Sequence, residues 1–151
     1  MDRAKLAAHS RSRLDARLKE LTPVARYAPP LRGWIKAIRE SLGISTAQMA
    51  KKLGIKQPSV VAIEQSEVKG RIELATLRRA AEALDCTLVY ALVPNRPLEA
   101  MVRDQARAFA RLRLGAVERS MVLEDQRVTA KEAEARLDEL VRATNPQRFW
   151  R

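Results

Sequence analysis

Residues suited to catalysis and to metal binding are scarce in this chain of 151 residues. It contains one cysteine and one histidine, Cys86 and His9. A single cysteine excludes a disulfide within the chain, and these two residues cannot supply a zinc site made of Cys and His ligands. The sequence also shows no nucleophile–base set and no phosphate-binding loop. We therefore expect no enzymatic activity, no metal and no cofactor, and we interpret both residues as structural or incidental.

Long apolar runs are also missing. No segment approaches the roughly 20 apolar residues that a membrane-spanning helix needs. The basic N-terminus is not followed by the apolar stretch of a secretory signal. Aromatic residues make up only 4% of the chain, although 46% of it is hydrophobic, so the core must be aliphatic. These features predict a protein of the reducing cytoplasm that has no membrane partner.

Positive charge is abundant. The chain has 29 Lys and Arg residues against 18 Asp and Glu residues, which gives a net charge of +11. The excess is spread along the chain and is not confined to a basic tail. Such a chain suits a polyanionic partner, and nucleic acid is the default choice. The alternative is a charged surface that serves only solubility.

Proline positions and apolar periodicity divide the chain into four segments. Residues 1–30 contain a helical pattern followed by a proline-rich connector, and residues 31–86 contain four short helices. Residues 87–94 form an apolar segment of strand length that ends in proline. Residues 95–151 return to helical patterns. We therefore predict a mainly α fold with one β-strand and a C-terminal helical extension.

Two neighbouring helices in the second segment form a helix-turn-helix. The first, at 45–53, opens with Ser45 and Gln48 in a capping-box pattern and is closed by glycine. The second, at 57–65, carries Pro58 in its first turn, where the missing N–H is harmless. Its apolar residues share one side, and the other side is polar but uncharged. That second side suits contact with base edges.

The sequence IRESLGISTAQMAKKLGIKQPSVVAIEQ resembles the phage-repressor class of helix-turn-helix domains, also called the XRE or Cro/C1 type, over residues 31–86. The resemblance implies a lambda-repressor-like fold with an ion pair between Arg39 and Glu64. The chain departs from the family pattern at Thr46, where glutamine is common. It also departs at Lys56, where Ser or Thr usually caps the second helix, and the missing cap costs about 1 kcal/mol.

A wider resemblance covers nearly the whole chain. The segments GWIKAIRESLG, TLRRAAEALDCTLVYALVP and LEAMVRDQA, together with the Arg-Phe-Trp ending, are similar to the mobile mystery protein A family. This resemblance implies a neighbouring gene that encodes a Fic-domain protein, in a toxin–antitoxin-like pair. Charge and spacing say nothing about that partner.

The second motif helix would enter the major groove by its N-terminal end. Gln57 is the first predicted base reader because a glutamine amide pairs bidentately with adenine. Ser59 and Ala62 follow, Ala62 as a contact for a thymine methyl group. Six residues are predicted to contact phosphates: Thr46, Lys51, Lys52, Lys56, Lys69 and Arg71. The alternative for each cation is an ordinary solvated charge.

One such domain reads few base pairs, so we expect a homodimer on a palindromic operator with half-sites about 34 Å apart. The strand predicted at 87–93 is the natural seam, because a lone strand leaves its backbone groups unpaired. Antiparallel pairing with a second copy across a two-fold axis would satisfy them. The residues assigned to this seam are Leu88, Val89, Tyr90, Ala91, Leu92 and Val93.

The C-terminal segment holds candidate partner-binding residues. Arg103, Arg107 and Arg111 form a row at i, i+4 spacing, which is either a solvated helix face or a contact for DNA or an acidic partner. Phe149 and Trp150 either fold back on the core or anchor a partner. We interpret the chain as a dimeric, sequence-specific regulator of a bacterial cytoplasm, an antitoxin that represses its own operon. The alternative is a protein–protein inhibitor of a Fic-domain enzyme acting through the C-terminal helices.

Overall fold

A computed structural model describes residues 3–121 and 129–150. Within these ranges the chain forms seven α-helices and two short 3₁₀ helices, so the prediction of a mainly α fold is confirmed. The α-helices are α1 (Arg3–Lys19), α2 (Trp34–Ser41), α3 (Thr46–Leu53), α4 (Gln57–Val68), α5 (Leu74–Ala83), α6 (Leu98–Met121) and α7 (Ala130–Ala143). The 3₁₀ helices are Val24–Tyr27 and Pro146–Trp150.

The predicted β-strand is not found. Residues 87–93 have no regular secondary structure, and no backbone hydrogen bond joins them to another part of the described chain. The segment has the composition of a strand, but a β-ladder requires a neighbouring strand, and the described residues supply none. Val89 and Leu92 are 80% and 90% exposed. Burial of these side chains therefore does not replace the missing pairing with a neighbouring strand.

The chain divides into two compact units. Pro23–Leu92 forms one unit, and Met1–Thr22 together with Val93–Arg151 forms the other. We call the first the central unit and the second the terminal unit. The N-terminal helix and the C-terminal helices, which the sequence suggested as separate segments, thus belong to the same unit.

The core of the central unit lies between α2, α3, α4 and α5. It is aliphatic apart from one methionine sulfur, in keeping with the scarcity of aromatic residues. Its buried members are Ile35, Met49, Ala50, Val60, Ala80 and Leu84. Partly buried side chains from the connecting loops, such as Ile44 and Ile55, pack around it. Apolar contacts with this core therefore hold α2, α3, α4 and α5 in place.

The terminal unit packs α1 against α6. Asp15 accepts hydrogen bonds from the backbone N–H groups of Leu98 and Glu99, at 2.7 and 3.1 Å, and thereby caps the start of α6. Arg11 also pairs with Glu99 at 2.8 Å. The N–H groups at the start of a helix have no partner within the helix and favour a carboxylate. Asp15 therefore links α1 to the start of α6.

The end of the chain returns to α6. Phe149 is only 3% exposed, and its ring lies 5.7 Å from the ring of Phe109. Its carbonyl accepts a hydrogen bond of 2.7 Å from Gln105. Of the two alternatives for the terminal aromatic pair, Phe149 thus folds back on α6 of its own unit and is buried there. Trp150 remains 58% exposed.

The start of α7 carries a second capping box. The Thr129 side chain accepts from the Glu132 backbone, and Glu132 in turn accepts from the Thr129 backbone at 2.9 Å. The hydrogen bonds from the Thr129 backbone and side chain lower the pKa of Glu132 below its ordinary value.

Candidate nucleic-acid interface

The interface is built on α3 and α4. The Ser45 hydroxyl accepts from the Gln48 backbone at 3.1 Å, and the Gln48 side chain accepts from the Ser45 backbone at 2.8 Å. This is the predicted capping box, and it fixes where α3 begins. Gly54, with φ of 65°, ends α3 in the left-handed conformation that suits glycine. Only Ile55 and Lys56 then separate it from α4, so the two helices form a helix-turn-helix.

The helix α4 exposes the side on which we predicted base readers. It begins at Gln57 with Pro58 in its first turn. Val60 and Glu64 are buried against the rest of the central unit. The predicted base readers Gln57, Ser59 and Ala62 are all exposed.

A buried ion pair joins α4 to α2. Arg39 and Glu64 make a two-pronged contact, with Nε–Oε1 at 2.6 Å and Nη2–Oε2 at 3.3 Å. Their side chains are 7% and 6% exposed. Arg39 also donates to the carbonyl of Ile44 at 2.8 Å, and the hydrogen bond with Glu64 raises the pKa of Arg39 above its ordinary value. The structure thus contains the ion pair that the resemblance implied.

The starts of α3 and α4 are also linked. Nε2 of Gln57 donates to the Thr46 hydroxyl oxygen at 2.8 Å. Thr46 is half-buried and Gln57 is exposed. The contact restricts the Gln57 amide before any ligand arrives, which lowers the entropy that binding must remove.

The five cations predicted to contact phosphates are all exposed: Lys51, Lys52, Lys56, Lys69 and Arg71. Within the described ranges none of them forms a salt bridge. Lys51 and Lys52 lie on the last turn of α3, and Lys56 precedes α4. Lys69 and Arg71 follow α4, a helix length of about 18 Å from Gln57. The structure therefore brings Thr46 to Gln57 and places Lys69 and Arg71 toward the other end of α4.

Three residues of α4 were not predicted. Val61, which is 41% exposed, and Gln65, which is exposed, follow Gln57 at i+4 and i+8 and so share its side of the helix. Helical spacing from Gln57 includes both, but it also includes Val60 and Glu64, at i+3 and i+7, which are buried. Glu67 accepts hydrogen bonds from the backbones of Trp34 and Ile35. No local pattern signals that contact because its partners lie 33 and 32 residues away in the sequence.

The remaining candidates lie outside the helix-turn-helix. Arg103 and Arg111 are exposed on α6 of the terminal unit, and Arg107 is half-buried there. In the predicted seam, Leu88 and Val93 are half-buried. The other four seam residues, Val89, Tyr90, Ala91 and Leu92, are exposed.

Comparison with known families identifies the helix-turn-helix. A family model described as helix-turn-helix matches residues 35–90, which lie within the central unit. The chain therefore contains an XRE-type helix-turn-helix domain, the kind of domain that DNA-binding transcription regulators use. Comparisons with curated proteins and with solved structures gave no match. Among the described helices none is both long and apolar enough to cross a membrane.

Proposed function

We propose that the chain is a sequence-specific DNA-binding transcription regulator whose α4 enters the major groove by its N-terminal end. The observation that carries this proposal is the exposed Gln57 amide, held by Thr46 at the first residue of α4. The helix itself is anchored in the core through the buried Val60 and Glu64. Base readers must project from a rigid support, and this arrangement supplies one.

The contact with Thr46 supports adenine as the base that Gln57 reads. The Gln57 amide has two hydrogens and one carbonyl oxygen, and one of the hydrogens is used by Thr46. One donor and one acceptor remain. Adenine offers the matching pair in the major groove, the N7 acceptor and the N6 donor, whereas guanine offers two acceptors. Guanine would leave its O6 facing the amide oxygen.

Exposed polar and cationic side chains around α4 complete the proposed interface. Ser59 and Ala62 lie on the exposed part of α4, and Ala62 would contact a thymine methyl group. Lys51 and Lys52 lie on the last turn of α3, Lys56 directly precedes α4, and all three would hold the phosphate backbone. The remaining proposed phosphate contacts are Thr46, Lys69 and Arg71. Each phosphate contact adds affinity for any sequence, and the base readers add specificity.

The test is a selection of duplexes from a random pool by the full chain, followed by titration of the selected operator and of a random duplex at one salt concentration. Gln57→Ala should weaken operator binding about 10- to 100-fold, because a bidentate base contact is lost, and should leave binding to the random duplex unchanged. The variant should also lose the base preference at the operator position that Gln57 contacts. Selection of no common sequence by the unmodified chain would contradict the proposal.

A second variant tests the adenine assignment. Thr46→Val keeps the side-chain shape but frees the second amide hydrogen of Gln57, so discrimination against guanine at the contacted position should fall. Thr76→Val, on α5, is the matched control and should bind as the unmodified chain does. A wild-type preference for guanine at that position would show that the Gln57 amide has the opposite orientation.

We also propose that the regulator acts as a homodimer through residues 87–93 and reads a palindromic operator. The support is the high exposure of Val89, Tyr90 and Leu92, at 80%, 66% and 90%, in a segment without backbone partners in the described chain. Contiguous exposed apolar side chains mark interaction surfaces, and unpaired extended backbone favours association between copies.

Two further proposals rest on the resemblance to the mobile mystery protein A family. The first is that the regulator is an antitoxin that represses its own operon. The second candidate function is inhibition of a Fic-domain enzyme through the C-terminal helices. The exposure of Arg103, Arg111 and Trp150 on the terminal unit favours this second function, because these residues are available to a partner. Co-purification of the full chain with the product of the adjacent gene tests it. Arg103→Glu and Trp150→Ala should weaken the complex, and absence of a complex with the unmodified chain would remove this function.

A further inference from the structure

The start of α2 is capped by a residue of α4. Its N-cap residue is Gly33, which has no side chain to offer. The Glu67 carboxylate takes that place, with Oε1 accepting from the Trp34 N–H at 2.7 Å and Oε2 accepting from the Ile35 N–H at 3.0 Å. The first N–H groups of a helix have no partner inside the helix, and the positive end of the helix dipole favours an anion. One carboxylate thus joins the start of α2 to the last turn of α4.

Gly33 makes room for this carboxylate. Its φ is 81°, a conformation that side chains other than glycine rarely adopt. A Cβ at this position would lie 2.7 Å from Oε2 and 2.9 Å from Cδ of Glu67. Both the backbone conformation and the close approach of Glu67 therefore require glycine at residue 33.

Glu67 is the second attachment of α4 to α2. Glu64, one turn earlier, holds Arg39 in the second half of α2, and Glu67 holds the first residues of α2. Without Glu67, the Arg39–Glu64 pair and the apolar contacts of Val60 would be left to resist a tilt of α4, and neither holds its C-terminal end. A tilt of about 10° at the C-terminal end would move the start of a helix of about 18 Å by about 3 Å. Base readout tolerates a displacement of only about 0.5 Å, so the tilt must be fixed.

We propose that Glu67 is a positioning residue for DNA readout, which sets the tilt of α4 through the start of α2 without touching DNA itself. The proposal rests on the DNA-binding function proposed above. It also assigns a role to Gly33, whose absent side chain lets the carboxylate reach the two N–H groups.

A purely electrostatic effect of Glu67 and a positioning role predict opposite changes in operator affinity. Removing a carboxylate near a DNA-binding surface should strengthen binding to any duplex, because one repulsion of the phosphates is lost. A positioning role predicts the opposite for the operator. Glu67→Gln should weaken operator binding about tenfold, while its affinity for a random duplex of the same length stays equal or rises. Glu67→Asp keeps the charge but shortens the reach, and it should weaken operator binding as well.

Glu73→Gln is the matched control. Glu73 is exposed just before α5, makes no side-chain capping bond and undergoes the same change of charge. It should bind the operator at least as tightly as the unmodified chain. All titrations use the full chain at a temperature where circular dichroism shows each variant to be folded.

Hydrogen exchange of the unmodified chain gives an independent measurement that requires no variant to fold. The amides of Trp34 and Ile35 should be protected from exchange in the absence of DNA, since both donate to Glu67. Unprotected amides would overturn the proposal. So would Glu67→Gln binding the operator as tightly as Glu73→Gln. Failure of the unmodified chain to select any operator would instead overturn the DNA-binding function, and this inference with it.

Discussion

At the scale of single residues, the central unit depends on a buried pair of charges. Arg39 and Glu64 are both less than 10% exposed, and burial removes the hydration of each. Their two-pronged contact and the Ile44 carbonyl satisfy much of what is lost. Removal of one partner should therefore lower the free energy of unfolding strongly, because the other charge stays buried without its partner.

Glu64→Gln should lower the free energy of unfolding by about 3 kcal/mol, because it leaves the buried Arg39 charge beside a neutral amide, with only the partly exposed Glu40 carboxylate, at 3.8 Å, as an anionic partner. Urea unfolding followed by circular dichroism measures this loss. Glu82→Gln, an exposed change of the same kind on α5, should shift the free energy by less than about 0.5 kcal/mol. Equal effects of the two substitutions would show that the pair behaves as a surface ion pair.

Several single residues of the site were predictable and one was not. The exposure of Gln57 and Ser59 on α4 could be predicted because the motif is local and the helix start is marked by Pro58. The ion pair of Arg39 with Glu64 came from family resemblance, since spacing alone does not select those two charges from the many in the chain. Glu67 was not predictable, because a carboxylate that caps a distant helix has the same local pattern as one exposed to solvent.

At the scale of elements, α4 starts without a side-chain cap. Lys56 occupies its N-cap position and makes no side-chain hydrogen bond there. The best N-cap residues accept a hydrogen bond from the first turn, which a lysine side chain cannot do. This departure from helix-forming preference occurs where we propose a phosphate contact, so stability and binding would compete at residue 56.

Lys56→Ser should raise the free energy of unfolding by about 1 kcal/mol, since serine can cap α4. The same change should weaken binding to every duplex and reduce the slope of log affinity against log salt by about 1, because one phosphate contact is lost. Lys52→Ser is the control that removes a charge without creating a cap. A variant that gains stability and keeps the full salt slope would exclude Lys56 as a phosphate contact.

Elements were predictable where their signals are local. The start and end of α3 follow from Ser45, Gln48 and Gly54, which act within a few residues of themselves. Residues 87–93 show the opposite case, since strand composition cannot supply the neighbouring strand that a β-ladder needs. The contact of α1 with α6 depends on Asp15 meeting the start of a helix 83 residues later, and no periodicity in the sequence specifies such a meeting.

At the scale of the whole molecule, the proposed association between copies would decide how many half-sites are read. Leu92→Asp places a charge in the proposed seam and should convert a dimer at micromolar concentration into a monomer, as measured by sedimentation. Operator affinity should fall because one half-site is no longer held by the second copy. Leu112→Asp, at an exposed apolar residue of α6, is the control and should remain dimeric. A dimeric Leu92→Asp variant would place the contact elsewhere.

The division of the terminal unit between the two ends of the sequence has a consequence for synthesis. The helix α1 contains no buried residue, and its partner α6 begins only after the whole central unit. At about 5 to 20 residues per second, the ribosome makes the 78 residues between Lys19 and Leu98 in about 4 to 16 s. During this interval a nascent α1 must wait, exposed, for α6. The central unit, which ends at Leu92, can meanwhile fold first.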